Sequence, residues 1–241
     1  MRGRAIALVL ALAGGTACSS VTAVSGSGTI IESQQEVGTF DSLEVGSAFD
    51  VTIRPGDQPG VLLRTDDNLL GEVEVDLADE RLRIDLDVPV RDATLEAEVT
   101  VGVDRLRAVD THGAATVTGI ETLTPDTLTV TASGASRVFL VVDVQTLTLS
   151  VDGASVVNLG GETDEVSVAA DGASTARLTQ LVALGAEAEA DGASRVGLTV
   201  TEALIARAGG ASTIRYAGEP TSVDSETSGA STVQPQPTSS G

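Results

Sequence analysis

The chain has 241 residues and a formal net charge of −21, with 14 arginines, no lysine and 35 acidic residues. Such a surface repels phosphate backbones and anionic lipid headgroups, which argues against nucleic acid as a partner and against electrostatic docking on membranes. A hydrophobic content of 41% excludes wholesale disorder, but with no Trp, one Tyr and three Phe the core must be filled by Val, Leu, Ile and Ala. Small branched residues suit thin stacked layers.

Residues 1–18 read as a lipoprotein signal peptide. Arg2 and Arg4 precede an apolar run, Ala5 to Ala13, that is too short to span a bilayer. Gly15-Thr16-Ala17-Cys18 then resembles a lipobox, although Gly15 stands where leucine is usual. Cys18 is the only cysteine, so a disulfide framework is excluded and Cys18 is the expected lipid attachment site. Ordinary secretory cleavage near Ala17 or Ala23 is the alternative. Residues 19–27 are expected to be a short linker.

Residues 28–110 are strand-rich but irregular. Gly26-Ser27-Gly28-Thr29-Ile30 resembles a corner, and Leu43, Val45, Phe49, Val51 and Ile53 alternate around another at Gly46-Ser47. Arg54-Pro55-Gly56-Asp57 is a turn signal, after which Val61-Leu62-Leu63 resumes a strand; Leu82, Ile84 and Leu86 alternate again. Phe40 and Phe49 suggest wider coils that cap a stack.

From 111 to 233 one pattern recurs. Gly-Ala-Ser appears at Gly134, Gly153, Gly172, Gly192, Gly210 and Gly229, after a degenerate Gly113-Ala114-Ala115, with spacings of 21, 19, 19, 20, 18 and 19 residues. Alternating apolar residues flank each copy, as in Leu147, Leu149, Val151 before the corner and Val157, Leu159 after it. Period-two alternation is the strand signature, and a single coil cannot bury its own strands. The expected fold is therefore all-β: a right-handed parallel β-helix with coils of about 19–20 residues, seven of which span about 30 Å. Propeller blades need about 40 residues and sandwiches lack strict repetition. Each corner is expected to hold its glycine at positive φ, turn the alanine inward and stack the serine hydroxyls in a ladder. Residues 28–233 then form one domain, and 234–241 a disordered tail.

Gly26-Ser27-Gly28-Thr29-Ile30, Thr65-Asp66-Asp67-Asn68-Leu69-Leu70 and the serial Gly-Ala-Ser corners together resemble the head-GIN autotransporter adhesin family over roughly residues 28–220. The resemblance implies a parallel β-helix in an exported bacterial protein, often a lipoprotein.

Little catalytic chemistry is visible. His112 is the only histidine and occupies a corner position filled elsewhere by Ser133, Asp152, Asp171, Asp191, Gly209 and Ser228. One histidine without a thiol leaves a triad or a zinc site short of members. Asp152, Asp171 and Asp191 would stack one coil apart, either as a Ca²⁺ ladder or, as the simpler reading, each capping its own corner. Arg137, Arg177 and Arg195 follow the corners, with Arg177 shifted by two places; they are read as neutralising those carboxylates. The sequence implies no catalytic residue and no cofactor. The expected function is that of a non-catalytic cell-envelope lipoprotein, lipid-anchored in the membrane and facing outward, that acts as a structural, interaction or adhesion module toward an envelope or extracellular protein or glycan. A polysaccharide-active enzyme and a Ca²⁺-dependent scaffold are the alternatives.

Overall fold

The computed structural model describes residues 23–236. The expected signal at 1–18, Cys18 and residues 237–241 lie outside the described residues. Strands account for 65% of the chain and wind a β-solenoid of about 7 turns. A single 3₁₀ turn, Leu70–Glu72, interrupts them.

The regular coils follow directly from the alternation. Arg137–Val151, Val156–Ala170, Thr175–Ala190 and Arg195–Ala208 are long strands paired in parallel, with Val138 beside Val157 and Leu149 beside Val168. Each bends midway, so that one stretch precedes a corner on what we term the first face and the next follows it on the second face. Every other residue points inward. Leu140, Leu159, Leu178 and Leu198 form one buried column, and Leu149, Val168, Ala188 and Ala206 another. Burying each leucine contributes about 1.5–3 kcal/mol relative to exposure. The stretch Leu181 to Ala190, helical by composition, is strand here because its alanines lie over the columns of both neighbouring coils.

The corners hold the coils in register. Gly113, Gly134, Gly153, Gly172, Gly192, Gly210 and Gly229 all have φ between 66° and 77°. The next amide donates to the preceding coil's glycine carbonyl, as Ala154 N does to Gly134 O at 2.8 Å and Ala173 N to Gly153 O at 2.7 Å. A side chain would fit neither the backbone angle nor the space, since a Cβ on Gly153 would stand 2.6 Å from Gly134 O. The alanine that follows does not turn inward as expected. Ala135, Ala154, Ala173 and Ala193 are exposed, whereas Ser136, Ser155, Ser174 and Ser194 are fully buried. The inward parity runs through the corner unshifted, from Val151 to Ser155 and Val157, which turns alanine out and serine in. The hydroxyl ladder is short: Thr111 donates to Ser136 at 3.0 Å and Ser136 to Ser155 at 3.3 Å. Beyond it Ser194, Ser212 and Ser231 donate to the carbonyls of Ala170, Ala190 and Ala208, and Ser174 Oγ has no partner.

The first half departs from sequential stacking. Ser42–Val45 pairs in parallel with both Arg81–Leu86 and Ala108–Thr111, and Asp50–Pro55 with both Leu95–Val101 and Thr116–Leu123. The coil of residues 42–55 is thus inserted between two coils that follow it in sequence. The far end is closed by antiparallel strands in place of the wider coils expected there. Val73–Ala78 folds back on Arg81–Leu86 through Asp79 and Glu80, both at positive φ. Gly60–Asp66 runs antiparallel to Leu95–Val101, and Ile30–Glu36 antiparallel to it in turn. Phe40 and Phe49 are buried within this end.

Two expected boundaries move. The linker 19–27 is attached from residue 24, because Val24–Ser25 pairs with Val90–Arg91 and Ser27 Oγ donates to Asp67 at 2.6 Å. The ordered chain continues past 233: Thr232–Pro235 pairs with the preceding coil, and Gln236 N donates to Tyr216 O at 2.7 Å. The first forms a separate two-stranded sheet and the second extends the edge of the long one, neither of which local composition reveals.

Candidate functional site

Each aspartate of the corner column accepts from the amide of the glycine that follows it. The distances are 3.1 Å for Asp152 and Gly153, 2.6 Å for Asp171 and Gly172, and 3.0 Å for Asp191 and Gly192. Ser133 at the equivalent position does otherwise, its Oγ donating to Thr111 O at 3.4 Å. Among the described residues no group of three or more His, Cys, Asp or Glu side chains is gathered as a metal ion requires.

His112 stands on the first face at the insertion of the 42–55 coil. Its Nε2 is 3.7 Å from both Glu44 and Asp85. Around it Arg81 bridges Glu44 and Asp110, and Arg83 reaches Asp85 at 2.8 Å. Burial pushes the Asp85 carboxyl up, but hydrogen bonds from Ser47 Oγ, the Leu86 amide and Arg83 together outweigh it and hold the group below the usual carboxylate range. The carboxylate therefore sits between hydroxyl and imidazole. A nucleophilic triad needs the imidazole in the middle.

A second carboxylate was not singled out by its neighbours in sequence. Asp66 is 1% exposed and accepts from Gly28 N at 2.6 Å and Thr94 N at 2.8 Å. Those two amides hold it below the usual carboxylate range. Asn68 and Asp67 clasp Ser27 alongside. The Gly26-Ser27-Gly28 and Thr65-Asp66-Asp67-Asn68 segments, far apart in the chain, are thus the two halves of one knot. Gly26 is required there, since a Cβ on it would overlap the Asp66 carboxylate.

Charge divides between the faces of the regular coils. The second-face stretches 137–142, 156–161, 175–180, 195–199, 213–217 and 232–236 contain Arg137, Arg177, Arg195 and Arg215 and no acidic residue. The bends and first-face stretches 143–151, 162–170, 183–190, 201–208 and 222–227 carry nine acidic residues against the single Arg207, which pairs with Glu187 and Glu189. The expected neutralisation of the corner aspartates by Arg137, Arg177 and Arg195 does not form: the ion-paired arginines among the described residues are Arg54, Arg64, Arg81, Arg83 and Arg207. Arg177, Arg195 and Arg215 instead line a shallow groove on the second face with Thr175, Thr179 and Thr213. Arg215 was the member missed from sequence, and its place in the Arg177 row was the available signal.

The molecule is thus a β-solenoid whose regular coils gather arginines on one face and most of their acidic residues on the other. Its residues 39–220 match the family of the putative auto-transporter adhesin, head GIN domain, and the chain belongs to that family. Solved structures share the fold at low identity. A putative adhesin from Bacteroides fragilis is 21% identical with a TM-score of 0.83, covering 88% of this chain and 100% of its own. One from Parabacteroides merdae is 19% identical with a TM-score of 0.70, over 89% and 99%. A putative lipid binding protein from Parabacteroides distasonis is 15% identical with a TM-score of 0.72, over 90% and 100%. No curated protein matches the chain.

Proposed function

We propose that the chain is an exported, non-catalytic adhesion module, displayed on the bacterial cell envelope and held to the membrane by lipid on Cys18. The observation that carries this reading is the pair of broad, regular, exposed faces in a chain of the adhesin family. Small residues before the lone Cys18 at the end of an apolar signal support the anchor. A rigid rod whose sides differ in charge suits contact with an envelope or extracellular polymer, because side chains on stacked strands need no rearrangement on binding.

Two measurements test the two parts. Mass spectrometry of the processed protein should find an N-terminal diacylglyceryl-modified Cys18; an unmodified start near Ala23 would replace anchoring with secretion. The full chain on beads should capture a component of cell-envelope or matrix extract. Capture of nothing would remove the adhesion reading.

A further inference from the structure

In the regular coils the second face gathers arginines that form no ion pair among the described residues. Arg177, Gly197 and Arg215 occupy one row across three adjacent coils, and Arg195 sits in the neighbouring row between Thr175 and Thr213. Coils about 4.8 Å apart place the Arg177 and Arg215 backbones about 10 Å apart. Gly197 leaves the space between them open, and the groove lies over it. None of these arginines has a carboxylate partner on its own face. The exposed carboxylates nearest to them in sequence, Asp171 and Asp191, cap the amides of Gly172 and Gly192 at the corners and form no ion pair with them.

The flanking chemistry narrows the occupant. A guanidinium presents a planar fork of donors that matches a carboxylate, and it stays charged. Threonine hydroxyls alternate with the forks and can meet other hydroxyls. Protein interfaces are anchored by buried aromatic and Met side chains, whereas this groove has none. The geometry points to this face as the binding site of an acidic polysaccharide, whose carboxylates lie on Arg177, Arg195 and Arg215 and whose hydroxyls meet Thr175, Thr179 and Thr213. The inference rests on the adhesion reading and gives it a ligand class.

Binding of the full chain to immobilised polygalacturonate tests it, with dextran as the neutral counterpart and polyphosphate as a polyanion without sugar. The native chain should bind polygalacturonate and not dextran, more weakly as salt is raised. Combined Arg177→Ala, Arg195→Ala and Arg215→Ala should reduce affinity at least about tenfold, the scale of losing one charge-assisted contact. Arg207→Ala, on the other side, should leave it unchanged, and an unaltered thermal melt should show the triple variant folded. Undiminished binding by that variant, or tighter binding to polyphosphate, would overturn the proposal. So would self-association abolished by the triple substitution, which would assign the face to a second copy. Capture of an extract component that survives the triple substitution would sink this site and leave adhesion standing. Failure of the native chain to bind either polygalacturonate or extract would remove both.

Discussion

Serines at equivalent corners should respond to the same substitution with opposite signs. Ser174 and Ser212 both bury their hydroxyls, but Ser212 Oγ donates to Ala190 O at 2.8 Å while Ser174 Oγ has no partner. A buried hydroxyl left unpaired costs about 1–3 kcal/mol, and a made hydrogen bond contributes about 0.5–1.5 kcal/mol net. Ser174→Ala removes the unpaired oxygen and should raise stability by about 1 kcal/mol. Ser212→Ala should lower it by about 1 kcal/mol; the loss stays modest because Ala190 O also accepts from Gly209 N at 2.8 Å. For a domain of this size each kcal/mol moves the melting temperature by about 2–4 °C, so the two variants should separate by about 4–8 °C. Thermal melts followed by circular dichroism, checked by urea denaturation, measure the difference. If Ser174→Ala destabilised as much as Ser212→Ala, the reasoning from hydrogen-bond partners would be refuted.

Gly153→Ala should cost about 2–4 kcal/mol in urea denaturation, from left-handed strain plus the strained contact between adjacent corners; a loss under about 0.5 kcal/mol would show that the corner column can relax. Asp171→Ser should cost about 0.5–1.5 kcal/mol, the worth of the lost bond from Gly172 N, because a serine at this position, as at Ser133, bonds elsewhere; the melt of the native chain should be indifferent to Ca²⁺ and to chelator. A clear Ca²⁺-dependent rise in Tm would instead restore the cation ladder. Asp66 and Asp85 are depressed in the folded state, so the stability they confer is complete above the unfolded value near 3.8 and is lost as pH falls through the lower folded values. Asp66→Ala should therefore be less stable than the native chain above about pH 4 and lose stability less steeply below it, because the acid-labile part is already gone; an equally steep fall would count against the knot.

The regular half of the fold was legible because backbone geometry imposes it. A glycine at positive φ, placed over another glycine's carbonyl, leaves a trace in sequence at every turn. Turning alanine inward misread that same pattern, since the alternation runs through the corner unshifted, with Val151, Ser155 and Val157 all inward. The inserted coil at 42–55 was invisible for a different reason: parallel pairing is set by apolar columns that any coil of similar width can join. Segregation of charge was present in the sequence all along. Arg137, Arg177 and Arg195 looked like partners of the corner aspartates because they are near in sequence, yet the corner directs them to another side. Gly26-Ser27-Gly28 and Asp66-Asp67-Asn68 were each conspicuous, but their union across some forty positions is tertiary.

The inserted coil gives the two ends of the rod different freedoms. From Ala108 onward each turn rests on the one before, and deleting or duplicating a whole corner-to-corner unit would leave every remaining column continuous. No such excision is possible before it, because removing residues 42–55 would take out the layer between two others. The layer is also completed late: as the chain folds from its N-terminus, residues 42–55 have only one neighbour until 108–119 arrive. The solenoid is therefore a fixed base with an extensible shaft, whose length can change by whole turns without redesign of the base.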